Sequence, residues 1–187
     1  MRLFVAVELD ERVRSVMVDA QKKLGRACDG VRWIRPEQLH MTVKFLGEVE
    51  DGRIAEICES AKMAAAECRC LDLRVSACGC FPPRGAVRIV WVGVGGDEGG
   101  ITPMVQGVES RFESIGFPRE TKPFSPHITI GRVRDDRSQG GIRSAAAAHS
   151  PEPAVQRVDS LVVMSSVLSR SGSTYTVVSR SRLGSET

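Results

Sequence analysis

No apolar run in the 187 residues approaches the roughly 20 needed to cross a bilayer as a helix. A membrane-spanning helix is excluded. Charge of one sign is also missing: 26 basic against 23 acidic side chains leave a net +3, too little to mark a nucleic-acid binder by itself. No secretory leader is legible either, because Met1-Arg2-Leu3-Phe4-Val5-Ala6-Val7-Glu8 meets an acid before any apolar region is complete. A soluble, cytoplasmic protein with no membrane partner is expected. Lysine is scarce, with five against 21 arginines. That balance favours the side chain whose planar fork matches phosphate oxygens, although a GC-rich genome would produce the same bias. Scarcest of the chemically useful residues is histidine, with three. Length and composition fit one globular domain, so 1–187 is read as a single unit.

Six cysteines, Cys28, Cys58, Cys68, Cys70, Cys78 and Cys80, could form a disulfide framework, but a chain of this size can bury a core without staples. Reduced thiols are expected. The pairs Cys68-x-Cys70 and Cys78-x-Cys80 lack the two- to four-residue spacing of paired zinc ligands. In a strand, residues two apart share a face, which makes them small packing side chains instead.

Periodicity mixes strands and helices throughout. Leu3 to Glu8 reads as a strand ending before an N-cap at Asp10, and Val13, Val16, Met17, Ala20 and Leu24 form the stripe of a first helix. A second helix opens at Asp51. Thr102-Pro103 reads as the cap and first position of a third helix stopping near Gly116, and a fourth covers Gly141 to His149. Strands are expected at Leu39–Leu46, Leu71–Ala77, Arg88–Val94, His127–Val133, Val155–Leu168 and Tyr175–Arg180. The glycine-rich stretch 95–100 reads as a loop. Helices come in pairs around a histidine-bearing strand, so the chain resembles two similar α/β units.

His40-Met41-Thr42 and His127-Ile128-Thr129 carry the chemistry. Threonine fills only 7 of 187 positions, so a given histidine has threonine two residues on with a chance of about 4%. Two of three histidines have it. Alternation places each histidine and its threonine on one face, and in the first strand it sends Leu39, Met41, Val43 and Phe45 toward the core and Lys44 with His40. Two facing imidazoles can act as acid and base in a phosphoryl displacement, since histidine titrates near neutral pH, and threonine hydroxyls can hold phosphate oxygens. Two histidines fall short of the three protein ligands of a catalytic zinc site. A reaction with no metal and no cofactor is expected.

These motifs, with the opening Arg2-Leu3-Phe4-Val5-Ala6-Val7, the stretch Trp33-Ile34-Arg35-Pro36-Glu37-Gln38-Leu39-His40-Met41-Thr42-Val43-Lys44-Phe45-Leu46-Gly47 and the stretch Lys122-Pro123-Phe124-Ser125-Pro126-His127, resemble the RNA 2′,3′-cyclic phosphodiesterases of the two-histidine phosphoesterase superfamily. The resemblance implies an α+β fold of two pseudo-symmetric lobes, each a small antiparallel sheet with helices outside, enclosing a central cleft. It also implies His40 as general acid toward the 3′ oxygen and His127 as general base toward water, giving a 2′-phosphate, with the reverse assignment open. Thr42 and Thr129 would bind phosphate oxygens and Arg132 would stabilise phosphate charge. Arg132 lies five residues beyond His127, on the wrong face for strict alternation, and reaches the cleft only if the strand ends or bulges at Gly131. Phe45, Trp33 and Phe124 are candidates for stacking on a base, a role that competes with burial in the core; Phe45 joins the substrate-binding set. The expected partner is an RNA or oligonucleotide with a 2′,3′-cyclic phosphate end, bound by a monomer. Other cyclic nucleotides, 2′-5′ RNA joining and binding of RNA ends without turnover remain as alternatives.

Overall fold

The computed structural model describes residues 1–96, 100–135, 140–169 and 172–184. Among them the chain runs β1 (Arg2–Glu8), α1 (Glu11–Gly25), β2 (Val31–Trp33), β3 (His40–Glu48), α2 (Ile54–Ala66), β4 (Leu71–Phe81), β5 (Ile89–Gly96), α3 (Ile101–Glu113), β6 (His127–Val133), α4 (Gly141–Ala148), β7 (Val155–Val158), β8 (Ser160–Ser169) and β9 (Gly172–Arg182). The strands form one antiparallel sheet in the order β7-β4-β5-β6-β3-β1-β8-β9, with β2 paired to β6. A half of five strands, β7-β4-β5-β6 with β2, and a half of four, β3-β1-β8-β9, meet where β3 and β6 touch. Their shared register is the single pair Met41↔Ile128, both fully buried. α1 and α4 pack on the half containing β6, α2 and α3 on the half containing β3. The α+β architecture of two helix-backed lobes is therefore present, with the lobes joined edge to edge.

Local chemistry accounts for most element ends. Asp10 caps α1, its carboxylate accepting from the Val13 amide at 2.7 Å, as its place before the apolar stripe predicts. Gly116, at φ +90°, supplies the left-handed turn after α3. The start of α3 differs from expectation: Gly100 is the cap, no side chain bonds there, and Thr102-Pro103 lies inside the first turn. Those amides lack helical partners anyway, so proline is tolerated. Asp51–Arg53 forms a short 3-10 turn that leads into α2. The run Val155–Leu168 divides into β7 and β8 because the two belong to opposite lobes, β7 pairing with β4 and β8 with β1. Strand β2, only three residues long, carried too short a pattern to be anticipated. Part of the loop expected at 95–100 lies outside the described residues; Gly95 and Gly96 end β5.

Cys78 and Cys80 are both buried on β4. Burial pushes the Cys78 thiol up to about 11, with Cys80 adding to the rise, so it is protonated and inert at neutral pH. Between them Gly79 leaves room for the Trp91 ring, since a Cβ there would meet that ring at 2.3 Å.

One correction concerns β3. Against β1 its register slips twice, between Leu3 and Phe4 and between Val5 and Ala6, so that Val5 faces Lys44 while Ala6 faces Thr42. Val43 is the extra residue of a bulge. The bulge inverts the alternation: Lys44 turns into the core at 5% exposure and Phe45 turns out at 73%, the reverse of strict alternation. Inside, the Lys44 ammonium donates to the Glu109 carboxylate of α3 at 2.6 Å and to the Pro118 carbonyl at 2.9 Å. This buried pair ties the first motif strand to α3 and to the segment that leads toward the second motif.

Candidate functional site

The histidines are held in the same way. In each case the ring nitrogen Nδ1 donates to the carbonyl two residues earlier: His40 to Gln38 at 2.8 Å and His127 to Ser125 at 2.7 Å. A carbonyl can only accept, so Nδ1 carries a proton in both rings. Nε2 is left to gain or lose the working proton. On His40 it lies 3.1 Å from the Thr42 hydroxyl, which donates to it when the ring is neutral. The antiparallel pair Met41↔Ile128 extends one step each way to set His40 alongside Thr129 and Thr42 alongside His127. A local two-fold axis through that pair relates the motifs.

Aromatic rings back each imidazole. Phe4 of β1 lies 4.9 Å from the His40 ring and Tyr175 of β9 stands edge-on at 5.1 Å. Phe81 of β4 stands edge-on to His127 at 5.0 Å, with Trp91 of β5 at 6.3 Å. Burial lowers the pKa of His40 below its ordinary 6.5; the Gln38 bond opposes this, and the positive charges of Arg132 and His127 lower it further. Both charges therefore reach His40 through space.

Arg132 gets there by the route that strict alternation denies it. Against β5 the register of β6 slips so that Val90 faces Gly131 while Trp91 faces Thr129, making Ile130 the extra residue. Ile130 and Gly131 are both buried and Arg132 is exposed. A Cβ on Gly131 would meet Val31 at 2.7 Å, so glycine lets β2 close over the bulge. The two motif strands are thus parallel in design: histidine, threonine two on, a bulge at three, an inward residue at four, an outward residue at five. That fifth residue is Phe45 in one strand and Arg132 in the other.

The structure brings His40, Thr42, His127, Thr129 and Arg132 together and leaves Phe45 exposed beside Phe4, ring centres 6.2 Å apart. Trp33 and Phe124 are half-buried against the core, so neither is placed as a stacking platform. Four residues around the rings, Phe4, Tyr175, Phe81 and Trp91, were not anticipated, because their distance in sequence from the motifs carries no signal. The carbonyls of Gln38 and Ser125 did leave one: both stand two residues before a histidine. No group of three or more potential metal ligands occurs among the described residues.

Comparison with known proteins gives a consistent neighbourhood. The family model for LigT-like phosphoesterases matches residues 7–91 and 94–175. An RNA 2′,3′-cyclic phosphodiesterase of Archaeoglobus fulgidus is 37% identical over 134 residues, 72% of this chain and 73% of that protein. One of Methanothermobacter thermautotrophicus is 29% identical over 94% of this chain and 95% of its own. Among solved structures, TT0787 of Thermus thermophilus superposes with a TM-score of 0.83 at 28% identity over the whole of both chains. Escherichia coli LigT complexed with 3′-AMP shares the fold, with a TM-score of 0.78 at 23% identity over 97% of each chain.

Proposed function

The chain belongs to the LigT-like phosphoesterase family, and from that premise we propose that it hydrolyses terminal 2′,3′-cyclic phosphates on RNA to 2′-phosphomonoesters, with the two histidines exchanging protons. One observation carries the mechanism: two imidazoles related by a local two-fold, each with Nδ1 anchored to a carbonyl and Nε2 left to act. In-line displacement at phosphorus needs a base for the entering water and an acid for the departing ribose oxygen on opposite sides of one phosphate. A two-fold pair of imidazoles meets that need. His127 takes the proton of the attacking water, the bond from phosphorus to the 3′ oxygen breaks, and His40 protonates that oxygen. The Thr42 and Thr129 hydroxyls donate to the nonbridging oxygens, Thr42 leaving His40 Nε2 to do so. Arg132 stabilises the charge that builds on them. Phe45 supplies an open aromatic face beside this floor for the terminal base. All these groups come from one chain, so the site is complete in a monomer, and the chemistry calls for no metal or cofactor.

The test is to incubate the purified protein, in excess EDTA, with an oligonucleotide ending in a 2′,3′-cyclic phosphate and to identify the product. Formation of the 2′-phosphate is expected, with KM raised in Phe45→Ala. A 3′-phosphate product, a joined 2′-5′ product, or binding without turnover would overturn the reading in favour of another class.

The pH dependence follows from the lowered pKa of His40. At low pH both rings are cationic and no base is available; loss of one proton creates the working pair, and loss of the second removes the acid. The proton goes more easily from a buried ring. The rising limb of kcat/KM should therefore lie below pH 6.5, with a fall at higher pH. These limbs belong to the coupled pair of rings and not to either ring alone. A rising limb above pH 6.5 would contradict this account.

A further inference from the structure

Gln38 makes two bonds that bear on His40. Its main-chain carbonyl accepts from His40 Nδ1 at 2.8 Å, and its side-chain amide donates to the Ser173 carbonyl of β9, 135 residues away in the chain. Ser173 stands two residues before Tyr175, whose ring is edge-on to His40 and to Phe4. That end of the β8–β9 hairpin overhangs the sheet. β8 pairs with β1 from Val162 to Ser166, while its pairing with β9 runs on through Leu168↔Ser173 and Ser169↔Gly172. Val167 and Leu168 in the overhang are exposed, so little buried apolar surface fixes its position. The Gln38 amide supplies a fixed point. One residue thus sets the tautomer of the ring through its main chain and, through β9, the aromatic cover over it.

We propose that Gln38 is a positioning residue for His40, its side chain latching the overhanging β8–β9 hairpin so that Tyr175 keeps the imidazole covered. This rests on the cyclic phosphodiesterase reading and adds to it the device that keeps one of its two rings dry. Cover matters because a buried imidazole gives up its proton more readily than a hydrated one. The charged and titratable groups facing the ring are Glu8 of β1, directly across from it and ion-paired with Arg180 of β9, His127 and Arg132 of β6, and Tyr175 of β9; β8 carries none. Arg35 and Glu37, on the segment before His40, pair with each other. Replacing Gln38 by methionine alters none of these groups and keeps the main-chain carbonyl, so a change in the titration of His40 reports the hydration of its ring.

The test follows kcat/KM against pH on an oligonucleotide ending in a 2′,3′-cyclic phosphate and, in the protein without substrate, the NMR titration of the His40 ring. Four proteins are compared: the unmodified chain, Gln38→Met, Tyr175→Ala and the double variant. Gln38→Met keeps the bulk of the side chain and loses the donor. It should lose about tenfold in kcat/KM, the effect of one positioning hydrogen bond, with the rising limb and the His40 titration both moved up toward 6.5. Tyr175→Ala should move the titration in the same direction. The double variant should lose no more than the larger single loss, because both changes remove the same cover. A titration unmoved in Gln38→Met, or losses that multiply in the double variant, would overturn the latch. Absence of turnover by the unmodified protein would instead overturn the parent reading, and the NMR titration would then decide the latch by itself.

Discussion

His40→Ala and His127→Ala are each expected to lose about 10²- to 10⁴-fold in kcat on an RNA 2′,3′-cyclic phosphate, the usual contribution of a positioned acid or base. The two losses are distinguishable. A substrate with sulfur in place of the 3′ oxygen has a leaving group that departs without a proton, so it removes the need for the acid but not for the base. On that substrate His40→Ala should recover most of its deficit and His127→Ala should not. Recovery in His127→Ala alone would reverse the assignment, and undiminished turnover of the natural substrate in either variant would remove that histidine from the chemistry. Both rings sit on the sheet surface, held by one carbonyl bond each and flanked by aromatic rings. Truncation should leave the fold intact, which far-ultraviolet circular dichroism would check.

The second large effect is on stability. Lys44 and Glu109 are paired with side-chain exposures of 4% and 12%, and Lys44→Met would leave the carboxylate buried without its cation. Removing one partner of a buried pair costs about 3–5 kcal/mol, which for a domain of this size lowers Tm by roughly 10 °C. Lys44→Met combined with Glu109→Leu should regain most of that loss, because an apolar pair fills the space without an uncompensated charge. Thermal unfolding of the three proteins measures it. A Tm unchanged in Lys44→Met would mean that the carboxylate finds other partners, of which the Glu120 amide at 3.2 Å is the nearest.

The sequence revealed the elements more readily than their relations. The stripe of α1, the cap at Asp10 and the bounds of β6 follow from periodicity and capping, both local properties. The paired His-x-Thr motifs were legible for the same reason, since a histidine and a threonine two apart share a face of any extended strand. What alternation could not foresee is the bulge at Val43, which exchanges Lys44 and Phe45 between core and surface, or the one at Ile130, which delivers Arg132 to the face of the histidines. A bulge is decided by the partner strand, and the partners of β3 and β6 lie far away in sequence. The rings of Tyr175 and Phe81 escaped notice for that reason too: each meets a histidine only after the lobes have closed.

The matched bulges set the phase of each motif strand, much as a reading frame sets the meaning of the letters after it. Everything before Val43 and Ile130 is read in one phase and everything after in the other, so the fifth position of each motif shares the face of the histidines only because one residue has been counted out. The two strands can therefore exchange chemistry by point substitution at that position, a ring on one side and a cation on the other, while the frame stays fixed. Regular pairing at either bulge with every residue retained would be a frameshift of the sheet, sending a lysine to the substrate face or an arginine to the core without altering any histidine or threonine, whereas deleting the extra residue would keep the frame.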